Sequence, residues 1–392
     1  MLQLKIFPIA FRNASEKIFY TGKEELTKRT DVRSILYTDF EPDVLYFLSG
    51  GSEAEAITKL DKTKFQVLAA FGKNNAYASA TEVQAYCHQN GYNTMLLSLD
   101  QPESIKILQR LYQVKNGLQQ LNNQRLGLIG KVSEWLVASS IEPEILKEKL
   151  GITLKKIPWE EVGNYENYPS SAEFIEKFDR GNFLSLQAAS QVSELLKDVI
   201  LKCRLDAVTV ECFSLVQKNP VTACLALSDL NDLNIPAGCE GDLSSIAGMM
   251  LAREITGKIP WMANIAGIKH DKVLFAHCTA ATNQLADFSI QTHFETNKGT
   301  ALQGYMENDT ITLFRLDNQL KKIFISEGKI VDRPTLPYAC RTQIEVQMPA
   351  QSLDILQNQP LGNHHLILQG NWIDLLSLTA RVLSLEVSPD IH

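Results

Sequence analysis

The sequence predicts an α/β protein, with two doubly wound, Rossmann-like α/β domains followed by a C-terminal antiparallel, β-barrel-like domain. Three observations carry that expectation. Through residue 284, short apolar runs alternate with helical stretches, the pattern of βαβ units on a parallel sheet. From residue 285 helices thin out and period-two runs take over, the mark of antiparallel strands. Between these regimes, Ile235 to Cys278 reads as strand, acidic turn, helix, strand, loop, strand. Glu240 and Asp242 lie in that turn, beyond the carboxyl end of a strand, where open α/β sheets bind ligands.

A chain of 392 residues exceeds one ordinary core, and the pattern shifts divide it at 1–125, 126–284 and 285–392. A net charge of -7 provides no electrostatic footprint for nucleic acid or anionic lipid. No run of eighteen apolar residues exists, so no membrane span is expected. The N-terminal MLQLKIFPIAFRNASEK is broken by Lys5, Pro8 and Arg12 and does not read as a signal peptide. Seven scattered cysteines without a CxxC pair argue against a disulfide framework or a structural zinc site. They fit a reducing, cytoplasmic location, with Cys239 and Cys278 as small buried hydrophobes.

In the first domain VLYFL (44–48), QVLAAF (66–71) and TMLLSL (94–99) read as strands buried on both faces. SEAEAITKL, ATEVQAYCHQ and ESIKILQRLYQVKNGLQQL read as the helices between and after them. Gly50-Gly51-Ser52 is a tight turn into a helix with Ser52 as N-cap. It lacks the further glycines of a dinucleotide site and the lysine of a P-loop. The second domain opens with the strand LGLIG (126–130), and KVSEWLVASS reads as a helix start carrying Trp135. Polar, turn-rich residues 155–171 read as a connection. SLQAASQVSELLKDVILKCR is a helix, AVTVE (207–211) a strand and TACLALSDLNDL a further helix.

Leu243, Ile246, Ala247, Met250, Leu251 and Ile255 then recur at helical spacing. Asp242 sits at the N-cap, and Gly257 and Pro260 end the helix. In the last domain FSIQTHF, TITLFRL, KKIFISEG, KIVDR and RTQIEVQM read as strands. GNHHLILQG, a helix NWIDLLSLTARV and a strand LSLEV close the chain.

Four polar features carry candidate chemistry: Glu211 at a strand end, the pair Glu240/Asp242, His277 at a strand end, and His364-His365. Carboxylates and imidazoles gathered from different elements hold divalent metals or move protons. Alternation along a strand turns His364 and His365 to opposite sides. From the residues alone, Asp242 reads equally as a helix cap, Glu211 as a surface charge and His277 as a hydrogen-bonded strand end.

The run PAGCEGDLSSIAGMMLAREITGKIPWMANI, then VLFAHC, then GNHHLILQG resembles the L-fucose isomerase and L-arabinose isomerase-type superfamily, on the fucose isomerase side. FLSGGSEAEAI, NNAYASATEVQAY and LGLIGKVSEWLVAS upstream are similar to it as well. So are THFETNKGTALQGY and TITLFRLDNQLKKIFISEGKI downstream. The single motifs are loose, and their colinear order over most of the chain is the specific part.

The resemblance implies an enediol-type aldose–ketose isomerase using a divalent cation, usually Mn2+, on a deoxy- or otherwise modified sugar. It implies a homotrimer or homohexamer with the site at a subunit junction. It puts the first metal-binding and proton-transferring carboxylate on Glu240 and the histidine ligand on His364. Asn264 stands where the family carries its second metal-binding carboxylate. An amide offers a carbonyl oxygen but neither a titratable proton nor a charge. Catalysis is thus expected of Glu240 and Asp242, and metal binding of Glu240, Asn264 and His364. Glu211, His277, His365 and Trp135 are expected to support the site or touch the sugar. The alternative is a non-catalytic or substrate-divergent carbohydrate-binding relative, favoured by Asn264.

Overall fold

The computed structural model describes residues 3–30, 34–180 and 185–389. Those within Met1–Gln119 and Leu375–Leu385 form one compact unit, and those within Gln120–Asp374 and Glu386–His392 form a second.

The first unit is built on a five-stranded parallel sheet. Its strands are β1 (Leu4–Ile9), β2 (Ile35–Tyr37), β3 (Val44–Phe47), β4 (Gln66–Ala70) and β5 (Thr94–Ser98), in the order β2-β1-β3-β4-β5. The continuous apolar runs become β3 and β4, in which every residue is buried. Burying the larger apolar side chains among them, Val44, Leu45, Phe47, Val67 and Leu68, contributes on the order of 1.5–3 kcal/mol each. The helix Ala76–Gln89 packs Ala80, Val83 and Cys87 onto this sheet. Ser52 occupies the N-cap of the helix Glu53–Ile57 but makes no capping bond. Its hydroxyl is engaged by the Ser49 carbonyl and by Ser79 Oγ instead.

The second unit joins a parallel sheet to a closed barrel. The sheet holds β6 (Arg125–Ile129), β7 (Thr153–Ile157), β8 (Ala207–Val210) and β9 (Ala237–Cys239), ordered β7-β6-β8-β9. Strand β7 runs into the start of what the sequence reads as a polar connection, taking its residues 155–157. It is an edge strand, and edge strands carry lysines such as Lys155 and Lys156 that discourage further pairing. KVSEWLVASS is not a helix. Residues 131–141 form a turn-rich loop with internal bonds from Leu136 N to the Ser133 carbonyl and from Ser139 N to the Leu136 carbonyl. It is tied to other segments: Ser133 N donates to the Glu240 carbonyl, and the Ser139 carbonyl accepts from Leu243 N and Ser244 N. Trp135 is therefore a loop residue.

The barrel takes β10 (Trp261–Lys269), β11 (Lys272–His277), β14 (Thr310–Leu316), β15 (Lys322–Asp332), β16 (Thr342–Gln347) and β17 (His364–Gln369). The antiparallel order β14-β17-β10-β11-β16-β15 closes through the β14–β15 pair, so none of the six has a free edge. KKIFISEG and KIVDR are one continuous strand, β15. Strands β12 (Asp287–Gln291) and β13 (Ala301–Tyr305) form a separate hairpin, and β18 (Glu386–Ser388) adds parallel to β15. Trp261, Phe275, Leu313, Phe324, Ile344 and Ile367 belong to the barrel's apolar core.

The helix Leu243–Thr256 lies between the parallel sheet and the barrel. A Cβ on Gly248 would meet Leu366 and Phe314 of the barrel, while Ile246 lies against Gly238 of β9. That double packing explains why Met249 and Ala252, off the expected face, are also buried. Its ends are as the sequence predicts: Asp242 Oδ1 accepts from Ser245 N at 2.7 Å, and Gly257 is left-handed.

Candidate metal centre

The site begins with an unusual turn after β9. Glu240 and Gly241 both adopt left-handed backbone, with φ of 62° and 70°. Side-chain-bearing residues seldom do so, and such strain gathers at functional sites. A Cβ on Gly241 would lie 2.3 Å from the Lys131 carbonyl oxygen, so the close approach of the 131–141 loop requires glycine there. The turn delivers the Glu240 carboxylate to the end of the helix Leu243–Thr256 that Asp242 caps.

The barrel supplies the imidazoles. In the β10–β17 register Asn264 pairs with His364, and on the other side of β10 it pairs with Ala276, next to His277. The His277 and His364 rings lie 5.4 Å apart. One ligand atom each from Glu240, His277 and His364 lies within 4.8 Å of the other two. His364 Nε2 is 3.8 Å from Glu240 Oε1. Both imidazoles are buried, and Nε2 of each has no hydrogen-bond partner among the described residues. Unpaired buried nitrogens are costly. Two of them converging on a carboxylate make a donor set that fits a divalent cation.

Surrounding groups fix these donors. His364 Nδ1 donates to Asp242 Oδ2 at 2.9 Å, which leaves Nε2 facing Glu240. His277 Nδ1 faces Thr279 Oγ1 at 3.1 Å. The Trp135 indole N–H donates to Glu240 Oε2 at 2.6 Å. Arg315 is 1% exposed and lies 3.5 Å from Asp242.

The charges follow from this arrangement. Burial alone would raise the Glu240 carboxyl, but His364, His277 and the Trp135 N–H outweigh it and bring the pKa to about 2. Burial would raise Asp242 too, yet Arg315, His364 and the Ser245 N–H hold it well below the usual carboxylate range. Burial and then the neighbouring His364 push His277 down to about 3. For His364 burial acts downward, but Asp242 and Glu240 prevail and raise it to about 9. Near neutral pH His364 is therefore the cationic member of the centre, beside ionised Glu240 and Asp242 and a neutral His277.

The other expected residues lie as follows. Asp242 is fully buried with both oxygens engaged, so it orients His364 and caps the helix. Asn264 Oδ1 accepts from Asn363 Nδ2 at 2.6 Å, beside His364. His365 turns the opposite way, into the barrel against Phe275 and Phe324, and burial followed by Arg315 lowers it to about 3. Glu211 caps the helix Cys212–Lys218 through Ser214 N and accepts from Trp159 Nε1, outside the donor set. Cys239 and Cys278 are buried free thiols. The sequence reading missed Arg315 and Ser139. A lone arginine in the apolar run TITLFRL was the available signal, since a charge on a buried strand needs a partner.

No protein-family model matches this chain. Two relatives, each named sulfoquinovose isomerase, come from Priestia aryabhattai and Priestia megaterium. Both are 23% identical to it over 321 residues, covering 76% of this chain and 72% of the relative. No helix among the described residues is long and apolar enough to cross a membrane.

Proposed function

We propose that this chain is a metal-dependent aldose–ketose isomerase acting on a modified sugar. The observation that carries the reading is the convergence of Glu240, His277 and His364, with both Nε2 atoms unpaired. The likeness to the sulfoquinovose isomerases and the resemblance to the fucose isomerase-type superfamily support the same reaction class. Mn2+ is the proposed cation, held by Glu240, His277 and His364 with Asn264 alongside. Assembly as a homotrimer or homohexamer and a cytoplasmic location are carried over from the resemblance and the cysteine pattern.

When bound, a divalent cation supplies a Lewis acid that stabilises the negative charge developing on the sugar's first two oxygens. The chain's own residues manage the proton. Glu240, ionised above about pH 2, is the base that takes the C2 proton and returns it to C1, while the O2 hydroxyl proton passes to O1. The Trp135 N–H occupies Oε2 and leaves Oε1 turned toward His364. Asp242 keeps the Nδ1 proton on His364, so that Nε2 offers its lone pair once that nitrogen's proton has left. Asn264 moves no proton, which limits the relay to one carboxylate.

The test is ketose formation, followed by NMR, from a panel of deoxy- and sulfo-aldoses with Mn2+. Glu240→Gln is expected to lower turnover by about 10²–10⁴. Full turnover in that variant removes Glu240 from the mechanism. Sugar binding without ketose from any aldose favours the second reading, a non-catalytic carbohydrate-binding relative, for which the amide at Asn264 argues.

A further inference from the structure

The guanidinium of Arg315 lies outside the donor set yet touches three of the segments that build it. Its Nη1 donates to Ser245 Oγ at 3.3 Å and to the backbone carbonyl of His364, and its Nη2 donates to Ser139 Oγ at 2.8 Å. Nη1 also lies 3.5 Å from Asp242 Oδ2. These partners belong to the loop 131–141, the first turn of the helix Leu243–Thr256, and the start of β17.

Each segment contributes something separate. The loop carries Trp135, whose N–H fixes Glu240. The helix start carries Asp242, which orients the His364 ring. The strand carries His364 itself. The Ser139 carbonyl in turn accepts from Leu243 N and Ser244 N, so loop and helix end are joined twice. The segment just before β17 makes room for the arginine: Gly362 has φ of 152°, and a Cβ there would lie 2.2 Å from Nη2.

We propose that Arg315 is a positioning residue of this metal centre, acting through Asp242, Ser139 and the His364 backbone to register the three segments. The inference rests on the proposed metal-binding function. A planar fork with donors in several fixed directions serves acceptors on three segments at once. The single ammonium of lysine does not, so Arg315→Lys keeps the charge and loses the registration.

The experiment measures Mn2+ affinity by titration calorimetry on wild type, Arg315→Lys and the milder Ser139→Ala, with circular dichroism and thermal melts on the same samples. Loss of a group that orients ligands weakens metal binding by about 10–100-fold. Arg315→Lys is expected in that range with a native circular dichroism spectrum, and Ser139→Ala weakens binding severalfold with an unchanged spectrum. A purely structural arginine would lower the melting temperature while the folded protein bound Mn2+ as tightly as wild type. That result in Arg315→Lys overturns the proposal, and if Arg315→Lys does not fold, wild-type affinity in Ser139→Ala overturns it equally. Absence of Mn2+ binding by the wild type sinks the metal-binding reading and this inference with it.

Discussion

Raising the pH from 6 to 8 should tighten divalent-metal binding by about 100-fold, because one proton leaves the centre as the ion enters. The magnitude follows from His364. Two carboxylates, Asp242 at 2.9 Å from Nδ1 and Glu240 at 3.8 Å from Nε2, raise its pKa to about 9 against the opposing effect of burial. Below about pH 9 the Nε2 proton must be displaced, and apparent affinity changes about tenfold per pH unit, or roughly 2.7 kcal/mol over two units. Glu240 at about 2 and His277 at about 3 have already lost their protons and add no slope.

Calorimetry in buffers of different ionisation enthalpy reads both the affinity and the proton released, expected near one per ion at pH 7. The metal-free protein responds with the opposite sign. A histidine with a raised folded pKa contributes stability that is full below its unfolded pKa of about 6.5 and is lost as the pH passes about 9. Without metal, the melting temperature should therefore fall between pH 7 and pH 9.5. Affinity that stays flat from pH 6 to 8, with no proton released, would refute the assignment of His364 as a protonated ligand in waiting.

Two further outcomes follow from particular positions. Asn264→Asp, directly opposite His364 in the β10–β17 register, adds a charge to a donor set with one carboxylate and should tighten Mn2+ binding by about tenfold or more. Unchanged affinity in the same calorimetric titration would remove this side chain from the cation's surroundings. Gly241→Ala should cost about 1–3 kcal/mol from left-handed backbone strain, and more as Lys131 is displaced, read from urea unfolding midpoints. A wild-type midpoint would mean that the loop 131–141 does not pass so close to this turn.

What the sequence could determine by itself was local. Continuous apolar runs dictated β3 and β4, whose burial on both faces marks strands inside a parallel sheet. The cap at Asp242 and the stop at Gly257 were legible because a side-chain oxygen or a missing Cβ acts on its own helix end. KVSEWLVASS misled because nothing nearby reveals that its backbone bonds to the Glu240 turn and the next helix. Period two determined that His364 and His365 part ways, but not which one reaches the carboxylates.

Tertiary structure decided that. Barrel closure and the pairing of Asn264 with His364 bring an imidazole to an aspartate 122 residues earlier, and place His277 in the same space. Register across strands distant in sequence is set by the packing of the whole barrel. A centre whose donors come from three separate strand ends therefore exists only once that packing is complete.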